Sequence, residues 1–400
     1  MALLTIEETA GSDSAASGLL RHPLLALGFR PFYLLAAAFA AVAIPVWLLR
    51  YYGLLPALVH IDLSWHAHEM VFGFAVAAII GFLYTAGRNW TGLWTPRRGP
   101  LAAIVLLWVA GRIAMLLTQP MFAAAVDILF LPVAAVPLYR VLRQANNKRN
   151  LFLIALLLVL ALCNLGFHAA RSGWLQLSPL QPVHAAILVI AIIETAIGGR
   201  VIPHFTANAV TGARPVINDR RDRITLILTA GTALAWALAL PAPFIAGVAA
   251  AAATAQLTRL AGWKPLCTLR NPLLWILHAS YAWLVLGLIL LAMSALGLAS
   301  TSAAFHVLAI GAMAGLIMGM ITRTALGHTG RPLHAGRAEA AMYLLIQVGV
   351  AFRLLAAAGP DGVRDAGLLL SAACWTTAFL MYAITYGPYL FNARLDARDG

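Results

Sequence analysis

Two histidines and a carboxylate open an otherwise apolar helix in the stretch Trp65-His66-Ala67-His68-Glu69-Met70, which runs on to Asn89-Trp90-Thr91-Gly92. Imidazole suits iron, copper and zinc, and haem iron takes axial histidines. A carboxylate beside an imidazole can fix its tautomer. At membrane depth such groups must be paired, ligated or turned to a cavity, which makes them functional candidates. Residues two apart on an α-helix lie about 200° apart, so His66 and His68 cannot both face one metal if both are helical. One of them is the ligand candidate. Glu69 lies roughly 300° from His66 and shares nearly one face with it.

The other candidates sort by depth. An outer level holds His66, His68, His168, His184 and His306, with His60 in a loop, and an inner level holds His204, His278, His328 and His334, with His22 on the N-terminal segment. His306 and His328 sit at opposite ends of one helix, roughly 33 Å apart by helical rise, and cannot serve the same metal. Arg112 and Asp127 each lie roughly 10 Å from the same outer turn and are natural ion-pair partners. A contact between Arg112 and a cofactor propionate, or a proton path, is the sharper alternative. Glu194 falls near the midplane, and its partner must come from another helix. Arg353 stands near the outer end of the eleventh helix. The bland reading is that each histidine merely hydrogen-bonds between helices; two populated levels favour metals for the set.

These residues need a membrane scaffold. The chain of 400 residues is 62% hydrophobic and 10% charged, far from the balance of soluble domains. Apolar runs mark about twelve spans, roughly at 32–50, 66–86, 101–118, 121–142, 151–170, 183–202, 223–240, 242–260, 273–293, 303–325, 339–357 and 366–387. The expected fold is an all-α polytopic membrane protein. It comprises a disordered tail over 1–22, a single membrane domain over 23–392 and a C-terminal tail over 393–400. The net charge of +13 does not point to nucleic acid. With an even number of spans, all 27 arginines and lysines except Arg50, Arg112, Arg171, Arg353 and Arg364 fall on one side, which the positive-inside rule makes cytoplasmic, with both termini. The basic run Arg220-Arg221-Asp222-Arg223 reads as a topology determinant touching lipid. Cys163, Cys267 and Cys374 are too scattered for a disulfide framework or thiolate metal site.

One internal repeat stands out. His68 to Gly92 and His306 to Gly330 both read His-x4-Gly-x7-Gly-x9-Thr-Gly and enter the membrane from the same side. The sixth helix also opens on a histidine, His184. Three four-helix units, with the second, sixth and tenth helices lining the middle, would place those three near one another.

The motifs GFRPFYL, WHAHEMVFGF, GFLYTAGRNWTG, LLWVAGR, GGRVIPHFT, NPLLWILHASYAWL and ITRTALGHTGR together resemble the NnrS family of twelve-helix bacterial inner-membrane proteins. The resemblance implies haem b and copper and a role in nitric-oxide metabolism, denitrification or resistance to nitrosative stress. It implies metal-binding histidines among His66, His68, His278, His306 and His328, while His204 departs from the motif and His184 lies outside the matched motifs. Combined with depth, it suggests a haem held by His306 and one of His66 or His68, preferably His68, with Arg112 and Arg353 as cofactor contacts and Glu69 as a supporting carboxylate. His278 and His328 would then form a second, inner site for copper or another haem. A haem with histidine on both faces suits electron transfer, leaving chemistry to the second metal. An oxidoreductase acting on nitric oxide, fed by quinol or a cytochrome, is one outcome. A membrane transporter of metal, haem or small solute is the rival, since twelve spans with intramembrane Arg112, Asp127, Glu194 and Arg353 also suit a carrier.

Overall fold

The computed structural model describes residues 18–396. Most of the expected N-terminal tail and the last residues of the C-terminal one therefore lie outside the described residues; the part from Gly18 to Leu25 forms two short 3-10 turns.

Twelve helices follow in the expected places: α1 Phe29–Tyr51, α2 Leu63–Thr91, α3 Arg98–Leu117, α4 Pro120–Gln144, α5 Lys148–Arg171, α6 Leu180–Ala209, α7 Asp219–Ala237, α8 Ala242–Gly262, α9 Pro272–Ala295, α10 Thr301–His328, α11 Arg337–Ala358 and α12 Asp361–Phe391. Eleven are long and apolar enough to cross a membrane. The exception is α7, whose first turns hold Asp219, Arg220, Arg221, Asp222 and Arg223. No strand occurs among the described residues. The chain is a multi-pass, all-α membrane protein. Arg30, at the start of α1, donates to the carbonyls of Leu390 (3.0 Å) and Asn392 (2.7 Å) at the end of α12, so both ends of the bundle domain meet on the arginine-rich side.

Local signals set the ends of the central helices. Asp62 caps α2 by accepting from the Trp65 amide at 2.7 Å, satisfying a donor that the first turn leaves unpaired. Gly92 ends the helix at φ 72°, a left-handed conformation that favours glycine. The repeat partner Gly330 follows α10 at φ 75°.

The second, sixth and tenth helices form the middle. The most apolar windows of α2, α6 and α10 are 94%, 83% and 72% buried, above every other span, and each of the three touches the other two. Both repeat helices also widen into π-helix directly after the aligned histidine, at Glu69–Ala75 in α2 and Val307–Ala314 in α10. π-Turns inside α-helices are often found at functional sites. Within the widened stretch of α2 the Gly73 carbonyl accepts from the Trp108 indole of α3 at 3.1 Å.

In a bilayer, close packing rather than apolar burial drives helices together. On α10 the small-residue ridge Gly311, Gly315 and Gly319 lies against Trp283, Ser280 and Leu277 of α9, with no room for a Cβ at any of the three. The scaffold helices α7 and α8 are held by a buried polar clamp: Arg259 donates to Asp222 (3.0 Å), the Thr195 carbonyl (2.8 Å) and the Tyr281 hydroxyl (2.9 Å).

Candidate functional site

The geometry of α2 divides its polar groups between two compartments. His66 turns inward to an outer cavity of about 300 Å³ between the central helices and α1, α11 and α12. His184 of α6 and His306 of α10 line the same cavity, together with Arg353 of α11. One imidazole thus comes from each of the three central helices. The His66 ring stacks on Trp47 at 4.1 Å between centroids, and His184 stacks on Phe305 at 3.8 Å. His66 and His306 lie nearly parallel, 16° apart in plane and 6.4 Å between centroids. Nδ1 of His306 donates to the Ser302 carbonyl at 2.7 Å, which leaves the lone pair on Nε2. Nδ1 of His66 is buried without a hydrogen-bond partner among the described residues. Arg353 is anchored by a 3.0 Å bond to the Ser302 hydroxyl. The remaining walls are chiefly apolar, from Ile44, Leu48, Met70, Ile187 and Met313. Imidazole nitrogens in an apolar chamber with one guanidinium can ligate a metal or hold a flat, carboxylate-bearing cofactor.

His68 does not enter that cavity. It is wholly buried in a second, polar cluster where α2 meets α3, α4 and α5. Nδ1 lies 2.9 Å from Glu69 Oε1, and Nε2 lies 2.8 Å from Asn164 Oδ1 and 3.2 Å from Asp127 Oδ2. Arg112 reaches both carboxylates: Glu69 at 2.7 Å, and Asp127 through a direct contact. Asn164 Nδ2 donates to Asp127 Oδ2 at 2.8 Å, and His168 Nε2 lies 3.0 Å from that same oxygen. Gly73 and Gly111 make room, since a Cβ on Gly73 would press on Glu69 and Arg112, and one on Gly111 would touch Asp127. Ligand atoms of His68, Asp127 and His168 all fall within 4.8 Å of one another.

The helical-wheel separation of His66 from His68 therefore holds, but two assignments built on it change. The preference for His68 as the partner of His306 gives way to His66, because His68 is engaged with Glu69 and Asn164. Glu69 sides with His68 rather than His66: its carboxylate lies 2.9 Å from His68 Nδ1 and is held by Arg112 at 2.7 Å. Arg112 pairs with Asp127, the bland alternative, and does not line the histidine cavity. Arg353 does.

The inner pair is not brought together. His278 bonds to its own helix through the Leu274 carbonyl (3.1 Å) and faces Thr206 of α6 at 3.4 Å. His328 lies against Phe29 and lines a separate inner pocket with Arg88, Arg323 and Arg394. Glu194 Oε1 is buried without a hydrogen-bond partner among the described residues, beside a small apolar midplane cavity of about 90 Å³. His204 is exposed and bonds to Asn208.

In the sequence His184 lies outside the matched motifs, and its place at the mouth of the sixth helix is the signal for it. Depth alone marks His168 as an outer histidine. Asn164 carries one sign of its own, since a lone amide in an apolar span points to an interhelical bond.

The chain matches the family model described as "NnrS protein" over residues 23–394. It belongs to the NnrS family, and that membership supports a role in the nitric-oxide response. No curated protein matches the chain.

Proposed function

Starting from that membership, we propose that the protein is a haem- and copper-containing protein of the bacterial inner membrane, acting in nitric-oxide metabolism or nitrosative-stress resistance, with haem b in the outer cavity. The observation that carries the reading is the convergence of His66, His184 and His306 on one largely apolar chamber. Those residues fit the group. His306 offers Nε2 because Ser302 occupies Nδ1, and His66 is held flat against Trp47 with an orphaned ring nitrogen. His306 and His66 are the ligands we assign, with Arg353 positioned for a propionate. When bound, haem would supply a redox-active iron able to pass electrons or to take up a diatomic gas. The chain's own part is to hold the imidazoles in fixed tautomers, to exclude water with apolar walls, and to neutralise a carboxylate with Arg353. Electrons for any redox step on nitric oxide would come from quinol or a cytochrome.

A single experiment tests this. Nitric oxide is added to the reduced, purified protein while its visible spectrum and the loss of the gas are followed together. A haem spectrum that shifts on addition supports gas binding at the iron. A haem spectrum that does not shift leaves the iron an electron carrier.

A transporter is the second reading, favoured by one observation. The outer cavity, the midplane cavity and the inner pocket of about 760 Å³ are all lined by residues of α2, α6 and α10, so they stack along the middle of the bundle. A folded protein that is colourless and metal-free would favour that reading.

A further inference from the structure

With both carboxylates ionised and both histidines neutral, the polar cluster around His68 is short of one positive charge and one proton's worth of hydrogen bonding. Glu69 and Asp127 bring two negative charges and Arg112 one positive charge, all with nearly fully buried side chains. The bonding is over-determined as well. Asn164 must point Nδ2 at Asp127, because a flipped amide would set its oxygen against the carboxylate at 2.8 Å. Its Oδ1 then faces His68 Nε2. Glu69, held by Arg112 at 2.7 Å, faces His68 Nδ1. Both ring nitrogens of His68 thus meet acceptors, while a neutral imidazole has one N–H. With that N–H on Nδ1 toward Glu69, the lone pair of Nε2 faces those of Asn164 Oδ1 and Asp127 Oδ2, while His168 Nε2 donates to Asp127 Oδ2 and must shift that proton to its own Nδ1 to become a ligand.

We propose that the juxtaposed His68 Nε2, His168 Nε2 and Asp127 Oδ2 bind a single cuprous ion, separate from the outer cavity. Two imidazoles and one carboxylate oxygen suit a first-row metal, and Asn164 Oδ1 stands next to them. One positive charge balances the buried cluster, whereas a divalent ion leaves an uncompensated charge in the bundle. Glu69 acts behind His68, fixing its tautomer as carboxylates do behind metal-bound histidines. The choice of copper rests on the cofactor reading above; the donor set and the charge stand on the cluster alone.

The test loads the purified full-length protein anaerobically with cuprous or zinc ion, challenges it with a cuprous chelator and counts copper per chain by elemental analysis. X-ray absorption reports the ligand atoms. The expected result is one retained copper with nitrogen and oxygen neighbours in wild type and in His306→Ala. His168→Ala should lose the ion to chelator at a concentration at least about tenfold lower. Where His168→Ala does not fold, His168→Gln keeps a bond to Asp127 and should still lose copper. Copper held equally by His168→Gln and wild type overturns the site, as does a wild type that retains no cuprous ion or that takes zinc in preference. If haem is absent but the copper results hold, the reading of the outer cavity fails and this one does not.

Discussion

His66 and His68 stand two residues apart on α2 and belong to different compartments. The first faces His306 across the outer cavity at 6.4 Å, and the second is locked between Glu69 and Asn164. The roughly 200° between such positions makes the division unavoidable on one helix, and Arg112 and His68 together hold the Glu69 carboxylate on the His68 side.

That division predicts opposite outcomes for two neighbouring substitutions. His306→Ala is expected to cut haem per chain below about a tenth, because loss of a histidine that would hold the haem exceeds the roughly 10–100-fold effect of an outer partner. His66→Ala should weaken haem retention as well. His68→Gln should leave the haem in place. Visible absorbance of the purified protein, normalised to protein, reads all three.

Arg112 joins Glu69 and Asp127 in a buried network, and removing one member of such a pair strands a charge in the bundle. Arg112→Ala should therefore destabilise the protein by about 3–5 kcal/mol. Changing the carboxylates along with it, as Arg112→Ala with Glu69→Gln and Asp127→Asn, should recover much of that loss. Unfolding by denaturing detergent, followed by loss of helicity, measures both. Triple-variant stability no better than the single variant's would show that the network's hydrogen bonds, rather than its charge balance, dominate.

How far the sequence carries can be judged on these same residues. Arg112 and Asp127 were legible as partners because both are measured from one short turn, and depth suffices when two helices are joined by a hairpin. Depth was not enough for His278 and His328, which share a level but face different neighbours; hydropathy fixes how far along a helix a residue sits and says little about which way it points. The twelve helices are readable from length and apolarity, but only eleven are long and apolar enough to cross a membrane; α7, with its charged first turns, is not among them. The π-widening in α2 and α10 has no residue-level flag, although the shared glycines Gly73 and Gly311 mark the places where the backbone comes close to neighbours.

The glycine ridge on α10 gives a third expectation. Gly315→Leu drives a side chain into Ser280 of α9, and overpacking of this kind costs about 1–3 kcal/mol. Gly247 on α8 meets nothing within 4 Å of an added Cβ, so Gly247→Ala should be neutral or gain up to roughly 1 kcal/mol from helix propensity. The contrast, read by the same unfolding assay, separates close helix contact from the general effect of changing a glycine.

Glu194 supplies the last test. Its Oε1 is buried with no hydrogen-bond partner among the described residues, and the carboxyl borders an apolar cavity at the midplane. Leaving a buried acceptor unpaired costs about 1–3 kcal/mol, a cost an apolar side chain of similar size does not carry. Glu194→Leu should thus raise stability by roughly that amount, while Glu194→Gln, which keeps an unpaired polar head, should gain little. Natural proteins retain such a residue when activity needs it, at the expense of stability. The variant expected to be most stable is therefore also the one in which nitric-oxide consumption or solute passage should fall. A Glu194→Leu protein that is less stable than wild type would mean that the carboxyl has a bonding partner in the midplane cavity, and that its role is structural.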